Sequence, residues 1–577
     1  MATWLSRRPQ WTPWAVAALL LYGGWFVLAT AVAAWRAYTP VPIWDMWHFV
    51  EFLHGLATGS GWKVWWSQMN EHRLIWTRAL FWFEHHVFGG HFIFLIAINY
   101  LLALTSLATL HAYLRDRASP MTPLQTTLSW VVMGAWLLSW VQQENLAWAF
   151  QSQFFLAQLL PLLGLFSLYR ATRPDAHRAW FRAACALGVA SIGTMISGIM
   201  ALPMLLLYAA LLRMGWRRIG VLIALTAACL AIYLRDYVSP RTHGSVLATL
   251  QQNPLGMVHY TLQYLGSPFQ WMAEEPASMW IGQHFGVLFL ALVLHQAAKA
   301  LRAPRAHALE LSLLAFIAYV VGIAFATAGG RLQFGMASAL SSRYTTPTMM
   351  AWAALAILYW PTLIALRGKA RALAVALLAG LLWLMISVQI QGTRRTEVAH
   401  LRMTGALALL LEVHDARRTG MLIWDEVFGM RLARLGAEQS IGLFARPPLA
   451  GAGEALGRQE EVPPPTCHAT IDSVEPVPED PRFMLVKGAL LPDGPPVDAY
   501  APAPPSIHLI HTDGTVAGIG LTDRWRKRHV AGSESTRVRH LTFTAYLRAF
   551  PVDLPAPMVL TVPGTSCSVP LTVPAPP

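Results

Sequence analysis

The chain has 577 residues, 55% of them hydrophobic and only 13% charged, with mean hydropathy +0.43 and net charge +13. So little charge cannot cover the surface of a water-soluble protein of this size, which excludes an ordinary soluble globular fold. The positive balance does not indicate nucleic acid, because no basic stretch interleaved with aromatic residues is present and Lys and Arg gather between apolar runs.

A bilayer core of ~30 Å is crossed by ~20 apolar residues in helical form. The first such run is Pro13 to Trp35, preceded by Arg7 and Arg8. A signal peptide is the competing reading, with Ala31-Val32-Ala33 as its cleavage site, but the run is longer than a signal's apolar region and reads as a retained span. Further runs follow at His91–Leu114, Thr122–Val141 and Leu146–Tyr169. The stretch 183–212 is too long for one span and short for two; Ser197-Gly198 and Pro203 break it into a tight hairpin of short helices. Runs at Ile219–Leu234, Ile281–Ala300, Leu309–Ala326, Thr346–Leu366 and Ala372–Ile390 complete a set of about eleven spans. The 25 Trp suit anchors at the membrane–water interface.

With Arg7 and Arg8 in the cytoplasm, alternating sides puts every basic cluster inside: Arg115/Arg117, Arg170–Arg182, Arg213–Arg218, Lys299/Arg302/Arg305 and Arg367/Lys369/Arg371. The odd number of spans then places the C-terminal region outside. Two long outside segments carry amphipathic stretches: residues 36–90, with Trp44–Leu56 and Leu74–Val87, and residues 236–280, with Pro254–Leu265. The first two stretches read as helices lying in the interface.

Domains are expected at 1–391 (transmembrane), 392–462 (a helical segment and Pro-rich linker) and 463–577 (an exported β-rich domain). In the last, alternating runs at Phe483–Val486, Ser506–Ile510, Val516–Leu521, Leu541–Tyr546 and Met558–Val562 are separated by Pro, Gly and Asp, with Asp493-Gly494 and Asp513-Gly514 as turns. The expected fold is thus a polytopic α-helical membrane protein with a small C-terminal β-sandwich-like domain. Cys185 and Cys229 sit in apolar helices as packing residues. Cys467 and Cys567 form a disulfide if exported, or remain two free thiols.

The polar motifs all fall on the outside face. Pro42-Ile-Trp-Asp-Met-Trp-His48 is followed a turn later by Glu51; in helical form Asp45 and His48 share a face, as do His48 and Glu51. Next come Asn70-Glu71-His72-Arg73, then Gln142-Gln-Glu144-Asn145 continuing to Gln151 and Gln153, then Gly329-Gly-Arg331 and Ser341-Ser-Arg343-Tyr344. Arg235-Asp236 and Glu274-Glu275 add to this side. Ionisable groups at membrane depth are costly and mark functional sites. A carboxylate facing arginines suits a substrate with a leaving phosphate and a hydroxyl nucleophile: Arg binds phosphate through a planar fork, and Asp accepts the hydroxyl proton.

Each motif has a plainer alternative. Asp45 caps the helix that follows it; His48, His85 and His86 are interfacial residues; Arg73 pairs with Glu71 or snorkels; Arg331 and Arg343 are solvated loop charges; Gln151 and Gln153 bond neighbouring helices. Asp45, His48 and Glu51 offer ligands for a divalent cation, but their spacing does not support a metal site, so no cofactor is expected. The absence of a P-loop, a GxGxxG and a G-x-S-x-G context speaks against cytoplasmic nucleotide chemistry.

Over residues 1–390 this layout resembles the GT-C superfamily of integral membrane glycosyltransferases: a first span entering from the cytoplasm, then a long outside loop with interfacial helices and Asp45 early in it. The resemblance implies a polyprenyl-phosphate-linked sugar as donor and a glycan, lipid or protein of the envelope as acceptor, at the periplasmic face of a bacterial inner membrane. It implies Asp45 as general base, Arg73, Arg331 and Arg343 as holders of the lipid-linked phosphate, and Glu71 and Glu144 as partners for hydroxyls. His48, Glu51, His72, Asn145 and Tyr344 join them as substrate-binding candidates. One departure stands out: many members carry two adjacent acidic residues where Asp45 is followed by Met46. The competing functions are a lipid-linked glycan transporter or flippase, which the apolar spans disfavour, and a non-catalytic envelope assembly protein.

Overall fold

Long apolar helices need no partner but lipid on their outer sides, and the first 392 residues are built from them. The structure is a computed structural model that describes residues 12–118, 120–240, 244–270, 273–274, 277–394, 398–492, 506–529, 537–549, 555–565 and 567–575. Arg7, Arg8, Glu275 and the Asp493-Gly494 turn lie outside the described residues. The chain divides into two units, one of residues 1–38, 65–80 and 93–395, the other of residues 39–64, 81–92 and 396–577.

In chain order the helices begin with α1 (Thr12–Ala37), α2 (His48–Ala57), α3 (Trp62–Trp66), α4 (Ile75–Phe88) and α5 (Ile93–Ala118). Next, α6 (Pro123–Leu137) opens on a capping box, in which Thr122 Oγ1 accepts from the Gln125 N–H and the Gln125 side chain accepts from the Thr122 N–H, with Pro123 at the first helical position. Then follow α7 (Gln143–Ala147), α8 (Ser152–Arg170), α9 (Ala179–Ala190), α10 (Ala201–Leu211), α11 (Trp216–Leu234), α12 (Val246–Gln252), α13 (Pro254–Gln270), α14 (Ala277–Leu301), α15 (Ala308–Arg331), α16 (Thr345–Ala365) and α17 (Gly368–Gly392).

Among the described residues, nine helical stretches are long and apolar enough to cross a membrane: α1, α5, α6 with α7, α8, α11 and α14 to α17. They coincide with the nine long runs of the sequence, and the protein is a multi-pass membrane protein. The hairpin expected within 183–212 is present as α9 and α10, two shorter apolar helices separated by 3-10 turns at Ser191–Gly193 and Ile196–Met200. Gly198 sits at that break because a Cβ there would strike the Ser191 carbonyl. Burial separates core from periphery: 78% of the apolar window of α8 is buried, against 17% for each of α1, α11 and α17. The last three therefore present most of their surface to lipid.

One end of this bundle is basic. Arg170 and Arg173 pair with Asp116 at 3.3 and 2.7 Å, Arg117 pairs with Glu310 at 2.5 Å, and Arg218 donates to the Ala171 carbonyl at 3.2 Å. Since α15 carries Glu310 near its start and Arg331 at its close, a rise of 1.5 Å per residue puts Arg331 about 30 Å away along the helix, at the opposite end. The helices α13 and α14 lie against each other through Gly266, Gly282 and Gly286, the last two spaced as G-x-x-x-G. A Cβ at Gly266 would strike the Gly282 carbonyl, and one at Gly286 the Leu262 carbonyl. Small residues substitute here for a hydrophobic driving force that lipid does not supply.

The second unit holds α18 (Val398–Leu411), α19 (Ala416–Thr419), α20 (Glu426–Glu438) and α21 (Ala452–Ala455). Seven strands follow: β1 (Cys467–Val477), β2 (Asp480–Pro492), β3 (Ser506–His511), β4 (Val516–His529), β5 (Arg537–Arg548), β6 (Ala556–Thr561) and β7 (Ser568–Val573). They form one antiparallel sheet in the order β1-β2-β5-β4-β3-β6-β7. The two edge strands come together: Cys467 and Cys567 are disulfide-bonded, with Cα atoms 5.4 Å apart, and the Thr466 N–H donates to the Ser568 carbonyl at 3.1 Å. One cluster of apolar side chains, including Val486, Leu509, Ala545 and Leu560, packs between the strands. Another joins Leu485, Ile519 and Tyr546 to Leu407 and Leu409 of α18, and Val41 and Trp47 of the first loop belong to it.

Candidate functional site

The connection from α15 to α16 carries both Arg331 and Arg343. It runs through 3-10 turns at Leu332–Phe334, Met336–Leu340 and Ser342–Tyr344, and Gly335 turns between the first two at φ 91°, a value that disfavours any side chain. Arg331 Nη2 donates to Glu71 Oε1 at 3.3 Å, and its guanidinium lies over the Phe334 ring. On the far side of Glu71, His72 Nε2 is 4.0 Å from Oε2. The His72 Nδ1 accepts from the Ile196 N–H at 3.2 Å, which leaves Nε2 to face the carboxylate as the protonated nitrogen. Twelve residues on, the Arg343 N–H donates to Glu144 Oε2 at 3.2 Å, while its Nε donates to Ser341 Oγ at 2.9 Å and lies 3.8 Å from the same carboxylate oxygen. The two Nη groups of Arg343 make no hydrogen bond among the described residues, and the side chain is 32% exposed.

Tyr260 of α13 is tied to Arg331 through Ser338. Its hydroxyl bonds Ser338 Oγ at 3.1 Å, and Ser338 in turn donates to the Arg331 carbonyl at 3.2 Å. Burial and the neighbouring Tyr344 raise the Tyr260 phenol well above its ordinary range, while the Ser338 bond and the charges of Arg331 and Arg343 pull it down. The Tyr344 ring stacks on Tyr264 at 5.2 Å between centroids. Below it, Asn145 Nδ2 donates to the Arg343 carbonyl at 2.9 Å and to Thr346 Oγ1 at 2.6 Å, and Thr346 donates to Gln142 Oε1. This network fixes the Arg343 backbone, so the guanidinium hangs from a rigid base.

Of the residues singled out in the sequence, Glu71, His72, Glu144, Asn145, Arg331, Arg343 and Tyr344 thus meet others of the set within the first unit. Arg73 lies in this unit too, but its guanidinium is buried and serves the backbone. Nε donates to the Tyr233 carbonyl at 3.2 Å, Nη1 to Trp66 at 2.7 Å and Nη2 to Arg235 at 2.8 Å, with the cation over the Trp66 and Tyr233 rings. It pins three chain segments rather than presenting a free fork. Gln151 is fully buried, and neither amide atom has a hydrogen-bond partner among the described residues, in contrast to the helix-to-helix bonds expected of it.

Asp45, His48 and Glu51 belong to the second unit. Trp44, just before Asp45, holds φ at 54°, a costly conformation for a bulky residue, and its N–H is tied to the Leu422 carbonyl at 2.5 Å. Asp45 opens a 3-10 turn, Trp44–Trp47, and its carboxylate makes no hydrogen bond or ion pair among the described residues. It does not act as a helix cap, since neither that turn nor α2 has a side-chain cap. His48 Nδ1 bonds Glu51 Oε2 at 3.1 Å, and Arg431 donates to Glu51 Oε1 at 3.1 Å. The His48 bond is foremost in holding the Glu51 carboxyl below its ordinary range; Arg431 adds to it, and partial burial opposes both. No group of three or more His, Cys, Asp or Glu suited to a metal ion occurs among the described residues.

Sequence reasoning did not single out Tyr260, Ser338, Thr346 or Arg431. The signal for the first two is positional: a tyrosine on an amphipathic outside helix and a serine between two motif arginines. Arg431 carried no local signal, because it lies 380 residues from its partner Glu51.

No family model matches the sequence, and no curated protein matches it. Among solved structures, the chain is similar to that of ArnT from Cupriavidus metallidurans bound to undecaprenyl phosphate, at 17% identity and a TM-score of 0.35 over 73% of this chain and 78% of that one.

Proposed function

We propose that the protein is a membrane glycosyltransferase that moves a sugar from a polyprenyl-phosphate donor to a hydroxyl of an envelope glycan, lipid or protein. The observation that carries this reading is the arginine pair. Arg331 and Arg343 sit on one short connection at one end of two spans, each beside a carboxylate, with the Nη groups of Arg343 uncommitted. Two guanidiniums at the end of a lipid-embedded bundle suit a phosphate whose chain remains in the bilayer.

In the proposed reaction the acceptor oxygen attacks the anomeric carbon of the donor. A new C–O bond forms as the bond from that carbon to the phosphate oxygen breaks, and polyprenyl phosphate leaves with the electron pair. Asp45 takes the hydroxyl proton, a role that its unpaired carboxylate and the strained Trp44 backbone support. Arg331 and Arg343 neutralise the charge that develops on the phosphate. Glu71 and Glu144 hold the arginines in place, and Glu144 accepts a substrate hydroxyl. The face on which this occurs is the periplasmic side of an inner membrane, the side opposite the basic loops.

The test is sugar transfer by the full chain in proteoliposomes. Asp45→Asn keeps donor binding and lowers transfer by about 100-fold or more, the usual contribution of a general base. Unchanged transfer by this variant ends the catalytic role of Asp45.

A further inference from the structure

Trp424 stands out from the apolar side chains of the second unit. It is 81% exposed, although it follows the buried Leu422 and Ile423 and lies next to the start of α20. Its indole is not loose: the Trp44 ring meets it edge to face, with centroids 4.5 Å apart, and the Trp44 N–H bond to the Leu422 carbonyl anchors that contact at both ends. Val427, one turn on, is 68% exposed. A rigid indole face held out of the core is positioned to stack on a ligand.

The surroundings favour one class of ligand. Asp45 follows Trp44 in the same turn, and Asp425 follows Trp424. Close by, His48 packs on Phe428 at 5.3 Å between ring centroids, and the Arg431 guanidinium lies over Phe428 while bonding Glu51. An aromatic face flanked by carboxylates, an imidazole and a guanidinium matches a pyranose: the C–H groups of one ring face pack on the indole, and the hydroxyls at its rim find acceptors and donors. An anionic bilayer surface fits less well, since Asp45 and Asp425, the latter capping α20 by accepting the Phe428 N–H at 3.0 Å, stand next to the indole, where membrane-binding patches carry Lys and Arg.

We infer that Trp424, braced by Trp44, is a stacking platform for a sugar ring of the acceptor, beside Asp45. This rests on the glycosyltransferase reading for the word acceptor, but the platform itself is tested by binding alone. Full-length protein in nanodiscs is applied to a printed array of bacterial polysaccharides and lipopolysaccharide cores, and separately to vesicles of phosphatidylglycerol. Wild type binds at least one glycan. Trp424→Ala weakens that binding about tenfold or more, and Trp424→Tyr retains most of it. Trp424 is exposed, so Trp424→Ala leaves the fold intact, and an unchanged melting temperature verifies it. Equal binding by Trp424→Ala and wild type overturns the platform, as does a wild type that binds no glycan. Loss of vesicle binding with unchanged glycan binding assigns Trp424 to the membrane surface and overturns it as well. Absence of sugar transfer with the expected pattern on the array counts against the catalytic reading only.

Discussion

Arg73 and Arg343 carry the same guanidinium to opposite uses, and the difference lies in what surrounds each. Arg73 spends its donors on three carbonyls under two aromatic rings, whereas Arg343 commits only Nε. Arg73→Ala is therefore expected to strand three carbonyl oxygens, at about 1–3 kcal/mol for each one left buried, and to show itself as lost expression or a lower melting temperature. Arg343→Lys is expected to leave the fold intact and raise the donor KM by about tenfold, because an ammonium cannot form the bidentate fork. Thermal melts and donor titrations of the two variants separate these outcomes. Sequence reasoning grouped the two residues, since both lie in polar motifs on the same side. What it lacked was the location of the Tyr233 and Arg235 carbonyls, 160 and 162 residues away.

At the level of elements, hydropathy located the long helices because each must satisfy its own backbone inside the bilayer and cover it with apolar side chains. That constraint is local, so it is written in consecutive residues. The hairpin α9–α10 was legible for a related reason, as Ser197-Gly198 interrupts a run too long for a single span. The strands were less so. Five of the seven followed alternating apolar runs, but no run was singled out over β1 and β7, which carry Pro476 and Pro570; both are edge strands, where Pro is tolerated. The contact of α13 with α14 depends on glycines whose meaning appears only when the two helices touch. Gly286→Val would drive a side chain into the Leu262 carbonyl, and we expect it to separate the pair and reduce the yield of folded protein, while Gly380→Val on α17, where open space surrounds the glycine, leaves the yield unchanged. Size-exclusion profiles of the two variants check this.

For the whole molecule, the second unit combines segments distant in sequence: Val41 and Trp47 pack with the tail. Nothing local announces this, because a loop residue buried against a domain that begins 350 residues later looks like any interfacial apolar residue. The disulfide was legible only as an alternative, since pairing depends on the two sheet edges meeting. It closes a separation of 100 residues, and its removal by Cys467→Ser with Cys567→Ser is expected to cost the unit about 2–5 kcal/mol, measured by denaturant unfolding under oxidising conditions. Acid weakens the same unit. Burial raises the Asp480 carboxyl, but two bonds from the Arg482 guanidinium at 2.8 Å and the N–H groups of His414 and Arg482 outweigh it, so the group titrates below its ordinary range. A carboxyl lowered by folding stabilises fully above its unfolded pKa and loses that contribution as pH falls through the folded one. Melting temperature should fall as the pH drops below the ordinary carboxylate range, and Asp480→Asn should fall less steeply from a lower start.

The central claim is that Arg331 and Arg343 hold the phosphate of a lipid-linked sugar. Native mass spectrometry of the full chain in nanodiscs containing polyprenyl phosphate measures this directly, with wild type compared to an Arg331→Ala, Arg343→Ala double variant. Wild type is expected to bind one polyprenyl phosphate per chain, the double variant at least about tenfold more weakly, and the free polyprenol that lacks the phosphate to have no effect. Equal binding of polyprenyl phosphate by the two proteins would contradict that claim.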